Sequence, residues 1–199
     1  FVVSTISAKY IYVNQQKTWD NARSHCLNSY TDLAPISNDY DRKLLITQNP
    51  QALSETSWIG LTRSASDYLK WVWVGGGAVQ ENKTFWSSGE PNDWNGKEDK
   101  GVIYGNGLQW NDEDGDSDFP FFCYKVHIVM EKKTWEEALE YCRENHRDLA
   151  SVASQTELTL MHKELGKSLV TEDVWIGLRF LDGNWLWVDS QPFEYEAWS

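Results

Sequence analysis

The sequence predicts an α+β fold in which two helices pack on small antiparallel sheets, with a long loop region beside them. Three observations carry this reading. A set of sequence blocks recurs roughly one domain length later in the chain. Within each copy the apolar spacing changes from helical to strand-like. Between residues 74 and 119 of the first copy, glycines, asparagines and acids displace the apolar pattern. With 199 residues, 41% of them hydrophobic and 24% charged, the chain has a globular composition and room for one domain or two.

The repeat favours two. Lys17-Thr18-Trp19 returns as Lys133-Thr134-Trp135, Cys26 as Cys142, and Asp32-Leu33-Ala34 as Asp148-Leu149-Ala150, all 116 positions on. Trp58-Ile59-Gly60-Leu61 returns as Trp175-Ile176-Gly177-Leu178, and Trp71-Val72-Trp73-Val74 as Trp185-Leu186-Trp187-Val188, with small insertions and deletions between. Residues 9–126 therefore read as one complete domain and 127–199 as the front half of a second. Residues 1–8 read either as a first strand or as the trailing end of a secretory signal. Trp198-Ser199 corresponds to Trp86-Ser87, so the second copy is expected to leave its strands without partners and Cys142 without a disulfide mate. Three cysteines, an odd count, allow a free thiol, an intermolecular bridge or a missing partner.

Thr134 and Glu137 form a capping-box pattern opening a helix with Trp135, Ala138 and Cys142 on one face. Thr18, Trp19, Ala22 and Cys26 repeat it. Ser154 and Glu157 cap a second helix whose Leu158, Met161 and Leu165 are expected inward, and Ser37 with Tyr40 and Leu44 opens its equivalent. The Trp-Ile-Gly-Leu and Trp-Val-Trp-Val blocks read as strands. Beyond Val74, the runs Gly75-Gly76-Gly77, Ser87-Ser88-Gly89, Asn95-Gly96 and Gly105-Asn106-Gly107 are turn chemistry, interrupted by a short strand at Val102-Ile103-Tyr104. A long loop region in a compact domain is usually functional.

A net charge of −12 repels phosphate backbones and anionic headgroups, which argues against nucleic acid as a partner. No run of about 18 apolar residues is present to span a membrane. The acids instead concentrate in two loop segments, Glu90-Pro91-Asn92-Asp93 with Glu98-Asp99, and Trp110-Asn111-Asp112. Carboxylates and amide carbonyls without His or Cys suit a hard cation, and calcium takes about six to eight oxygens in flexible geometry. Glu90, Glu98 and Asp112 supply three charges, while Asn92 and Asn111 add neutral oxygens. Pro91 reads either as a simple loop proline or as a cis bond that turns its neighbours toward one point.

Glu-Pro-Asn, a Glu eight positions after the first, then Trp-Asn-Asp and Pro120-Phe121-Phe122-Cys123, together resemble the C-type lectin-like domain over residues 9 to 126. That resemblance implies a Ca²⁺ cofactor held by Glu90, Asn92, Glu98, Asn111 and Asp112, with the same residues contacting sugar. It implies a preference for mannose, fucose, glucose or N-acetylglucosamine, a disulfide between Cys26 and Cys123, and an extracellular setting, secreted or as part of a receptor, in glycan or pathogen recognition. The family's inner disulfide is missing, because Lys100 and Gly115 stand in its positions. An auxiliary calcium site would draw on Asp93 and Asp99, but the loop before Trp71 adds only Asp67.

Trp94 beside the site reads either as a stacking surface for a sugar or, preferred, as one more core tryptophan, and Glu113, Asp114, Asp116 and Asp118 are expected in a solvated turn. Asn82-Lys83-Thr84 is a glycosylation sequon, and His25, His127, His146 and His162 lack paired ligand spacing. Catalysis is not expected, since nothing in such hydrophilic loops raises one carboxyl as a general acid requires. The rival reading is a calcium-independent protein-interaction or ice-binding module on the same fold.

Overall fold

The computed structural model describes residues 4–168 and 173–198. They fall into two compact units, residues 10–124 and residues 125–199 together with 1–9.

The first unit begins within β1 (Ser4–Lys17) and continues through α1 (Trp19–Ser29), β2 (Asp32–Leu33) and α2 (Asp39–Gln48) to β3 (Thr56–Arg63) and β4 (Trp71–Trp73). After the loop region come β5 (Glu98–Tyr104), β6 (Gln109–Asp114) and β7 (Phe119–Val129). The sheet order is β6-β5-β3-β7-β1, with β2 on β7 and β4 on β3. One face of α1 buries Trp19, Ala22 and Cys26 against Leu33, Trp58, Phe121 and Cys123. Cys26 and Cys123 are joined by a disulfide, with Cα atoms 5.4 Å apart.

The loop region is held by its own aromatic cluster. Trp110 is fully buried, and Trp73, Phe85 and Trp86 meet it edge-on with ring centroids 5.2 to 5.5 Å away. Trp71 packs on Trp86 at 4.9 Å. Strand β5 is longer than the sequence suggests because β6 pairs with it from Glu98↔Asp114 to Tyr104↔Gln109, with a register shift between Glu98 and Lys100.

The second unit contains α3 (Trp135–Asn145), α4 (Gln155–Lys167), β8 (Val174–Trp175), β9 (Leu178–Leu181) and β10 (Asn184–Trp187). Ala138, Cys142 and Leu149 form its core, with Trp135, Trp175 and Val188 against them. The two copies share bonds as well as sequence. Trp19 Nε1 donates to Ile59 O and Trp58 Nε1 to Lys17 O, and their counterparts Trp135 and Trp175 donate to Ile176 and Lys133. Gly60 N–H donates to Ala34 O as Gly177 N–H does to Ala150 O, both at 2.8 Å. A Cβ on either glycine would meet a carbonyl oxygen and a valine methyl within 3.0 Å, which is why glycine recurs there.

Two expectations change. Asn38, not Ser37, caps α2, its side chain accepting Asp41 N–H at 2.8 Å; Ser154 caps α4 in the same way from Glu157 N–H at 3.2 Å. In both helices the acid at the third position, Asp41 or Glu157, is buried. Leu45, rather than Leu44, is buried in α2, and α4 buries Thr156, Glu157, Leu160 and Met161 while Leu158 and Leu165 are only half-buried. The second change concerns partners. Strand β8 does not stand alone, because Ser4 and Thr5 pair with Val174 and Trp175 in parallel, and Ala150 N–H donates to Ile6 O at 2.7 Å.

Candidate functional site

Strands β5 and β6 carry three of the five donors on one edge of the first unit, and the 90–98 segment brings the other two alongside. Glu98 opens β5, while Asn111 and Asp112 lie in β6 opposite Val102 and Gly101. The Glu90–Pro91 bond is cis, the second of the two sequence readings. Asp112 is completely buried, and its carboxylate anchors the loop: Asn92 N–H donates to Oδ1 and Asp93 N–H to Oδ2, both at 3.0 Å. Arg63 reaches the same Oδ2 at 3.3 Å.

The remaining donors are locally satisfied with one exception. Asn92 Nδ2 donates to Glu90 Oε2 at 2.6 Å, and Trp94 N–H to Glu98 Oε2 at 2.7 Å. Asn111 gives its Nδ2 to Asp112 O and to Glu113 Oε1, but its buried Oδ1 has no hydrogen-bond partner. An unpaired buried carbonyl oxygen is costly and points to a missing electropositive neighbour.

The carboxylates also crowd one another. Partial burial raises Glu90 above its ordinary value, and a contact with the Asp112 carboxylate raises it further against the Asn92 amide. Burial likewise raises Glu98, opposed by the Trp94 N–H and reinforced by Asp112, Glu90 and Asp93. Glu113 is raised by burial and by Glu98. The expectation that nothing here raises a carboxyl is thus corrected: the loops are hydrophilic, but partial burial first, and neighbouring carboxylates after it, hold these groups above their ordinary values.

Among the described residues, no three acid, His or Cys side chains converge tightly enough to hold a metal as they stand. The donor set is nevertheless of the kind a hard cation takes. It offers three carboxylates with mutual repulsion to relieve, two amide oxygens, and one of those oxygens unpaired. The acids considered for a further ion are each engaged elsewhere. Asp67 pairs with Lys70 at 3.0 Å, Asp99 with Lys100 at 2.6 Å, and Asp93 accepts from Tyr68 O–H and Glu98 N–H.

Trp94 is 69% exposed and does not join the core. It lies between Asp93 and Asn95, which both adopt left-handed backbone conformations. Glu113 leaves the expected solvated turn and joins the site's fringe, whereas Asp116 and Asp118 remain exposed. Arg63 and Tyr68 are the residues the sequence reading missed. An Arg two positions past a repeated strand block carries no local signal of what lies across the sheet.

The family profile for the lectin C-type domain matches residues 15–125 and 131–199. C-type lectin domain family 4 member K of Mus musculus is 30% identical over 122 residues, covering 60% of this chain and 36% of that protein. One of the subunits of snaclec VP12, from Daboia palaestinae, is 39% identical over 89 residues, covering 43% of this chain and 70% of that one. The chain therefore spans about a third of the mouse relative's length. Among solved structures, the cow C-type carbohydrate-recognition domain of CD23, determined in the presence of a GlcNAc2Man3 oligosaccharide, superposes with a TM-score of 0.52 at 26% identity. It covers 60% of this chain and 88% of that one. No helix among the described residues is long and apolar enough to cross a membrane. With both copies matched, an α+β fold of the same kind and a paired Cys26–Cys123, this chain belongs to the C-type lectin domain family, whose domains bind rather than catalyse.

Proposed function

We propose that the first copy, residues 9–126, binds sugars of the mannose type through a calcium ion held by Glu90, Asn92, Glu98, Asn111 and Asp112. The observation that supports this most directly is the buried, unpartnered Asn111 Oδ1 beside the Asp112 carboxylate. A bound calcium ion would relieve the repulsion among the three carboxylates and offer open coordination positions to a pair of neighbouring sugar hydroxyls. The chain's own residues set the selectivity. Glu90 accepts and Asn92 donates, as their mutual 2.6 Å bond already displays, and each would turn the same function toward a hydroxyl. The exposed Trp94 indole offers an apolar face next to this edge. The setting that fits is extracellular, as a secreted protein or receptor part engaged in glycan recognition.

Retention on mannose-coated resin tests the reading. The chain is expected to bind in calcium and elute with EDTA. Asn92→Asp removes a donor and adds repulsion, so retention should fall. Glu90→Gln together with Asn92→Asp keeps the total charge and exchanges the hydrogen-bond order, so calcium binding should return with a preference moved toward galactose. The likeness to a snaclec favours keeping a second reading, another binding mode on the same fold, such as calcium-independent contact with protein. Calcium uptake without retention on any mannose-type sugar would transfer the assignment to it.

A further inference from the structure

We propose that Arg63 is a resident cation that stands in for a second metal ion and positions the calcium loop of the first copy. The inference rests on the calcium reading above for its functional consequence, but on separate geometry for its substance.

Three oxygens from three segments converge on the guanidinium. Nε donates to the Glu98 carbonyl at 3.2 Å, one terminal nitrogen to the Tyr68 carbonyl at 3.1 Å, and the other to Asp112 Oδ2 at 3.3 Å. The group lies over the Tyr68 ring at 4.5 Å and the Trp71 ring at 4.7 Å, and the side chain is only 9% exposed. Two carbonyls and a carboxylate, drawn from the 64–70 loop, the start of β5 and β6, are the oxygens a hard cation would gather. A guanidinium satisfies them with directed N–H groups and one fixed positive charge.

This placement does three things at once. It gives the wholly buried Asp112 a cationic partner, without which a buried carboxylate is strongly unfavourable. By holding the Glu98 carbonyl, it fixes the end of β5 from which the Glu98 carboxylate projects. It also ties the 64–70 loop to the site, where Tyr68 O–H in turn contacts both Asp93 oxygens at 3.2 Å. Asp67 and Asp99 face Lys70 and Lys100 at 3.0 and 2.6 Å, so each of the acids that a second ion would need already has a lysine beside it. Arg63 thereby orders two of the five calcium donors, Glu98 and Asp112, before any ion arrives.

Calorimetric titration of the full chain with calcium reads stoichiometry and affinity, while limited proteolysis in EDTA reads the loops with no metal present. The native chain is expected to take up one ion and to resist cleavage within 62–70 and 90–98 in EDTA. Arg63→Gln should lose about tenfold or more in calcium affinity, the scale of one charge-assisted contact, and be cleaved in both loops. Arg63→Lys keeps the charge without the fork and should recover part of each property. Arg63→Asp, placing a carboxylate among those same oxygens, should take up two ions. If Arg63→Gln does not fold, the graded loss in Arg63→Lys decides the matter, and native behaviour of that variant in both assays overturns the proposal. So does uptake of two ions by the native chain, or native affinity and protease resistance in Arg63→Gln. Absence of any calcium uptake by the native chain would end the calcium reading instead, leaving the EDTA proteolysis to judge Arg63.

Discussion

In the first copy, α1 and β7 meet at a disulfide; in the second, the equivalent helix α3 presents a buried free thiol at Cys142. What closes the two cores is nevertheless alike. Trp58 faces Phe121 in parallel register and Ala34 N–H donates to Phe122 O, while Trp175 faces Thr5 and Ala150 N–H donates to Ile6 O. Thr5 and Ile6 are the residues that a 116-position offset aligns with Phe121 and Phe122, and the next residue, Ser7, aligns with Cys123. The second copy is closed by a strand that lies at the other end of the sequence, with a serine at the register position of the cysteine. The helix and tryptophan framework forms from blocks local in sequence, whereas closure is a separable, long-range event.

Removing the bridge from the first copy should have the largest effect. Cys26→Ser with Cys123→Ser opens a loop with a sequence separation of 97 and is expected to cost about 4–5 kcal/mol in the chain-entropy account. Denaturant unfolding followed by Trp fluorescence should show the first unit's transition moving to lower denaturant and the second unit's unchanged. If both transitions shift equally, the two closures are not independent.

The converse change supplies the second copy with what the first has. Ser7→Cys is expected to form a disulfide with Cys142, taking the denatured, unreduced chain from one titratable thiol to none in a monomer. Burial pushes the Cys142 thiol up to about 11, so the bridge should form during folding rather than in the native protein, where little thiolate exists. Two thiols remaining in the Ser7→Cys chain would mean that residues 4–6 do not hold this register in solution.

How much of this was legible follows from the same distinction. The repeated blocks gave the helices and the strands, which depend on spacing within a few turns of chain; they gave the buried tryptophans of the first copy, whereas in the second Trp187 is buried, Trp135 and Trp175 are half-buried and Trp185 is exposed. Closure by residues 4–6 was also written in the sequence, since Lys9, Val13 and Lys17-Thr18-Trp19 align with Lys125, Val129 and Lys133-Thr134-Trp135, but it requires reading the repeat backward past the first helix. The five candidate residues, Glu90, Asn92, Glu98, Asn111 and Asp112, could be named from motif alone. The roles of Arg63 and Glu113 could not, because they arise from pairing of β3, β5 and β6 across the sheet.

A smaller effect is expected where the first copy itself departs from its family. A Cβ built on Gly115 lies 3.0 Å from Lys100 Cγ, close to the roughly 3 Å between a cysteine Cβ and its partner's sulfur in a disulfide. Lys100→Cys with Gly115→Cys should therefore bridge, with a gain of up to about 3 kcal/mol for so short a loop. The loss of the Lys100 contacts with Asp99 and the Trp19 ring subtracts from that gain. Thermal unfolding with and without reductant measures the difference, and calcium titration shows whether a stapled loop binds the ion more tightly. No reductant-sensitive change would mean that the β5 and β6 ends do not approach as closely as their register indicates.

The smallest effect concerns acid. Calcium requires ionised carboxylates, and protons compete for Glu90 and Glu98, both raised first by burial and then by neighbouring carboxylates. A raised carboxyl takes up its proton at a higher pH than an ordinary one, so calcium affinity should be full near neutrality. It should begin to fall with acidification above the usual carboxylate range. Glu113 is among the groups crowding this edge, its own carboxyl raised by burial and then by Glu98. Glu113→Gln removes one negative charge without emptying the space, so Glu98 should ionise more readily and the calcium loss should move slightly to lower pH. Calcium titrations across pH for the native chain and Glu113→Gln measure this; a shift to higher pH in the variant would show that Glu113 helps to hold the ion rather than only repelling its neighbours.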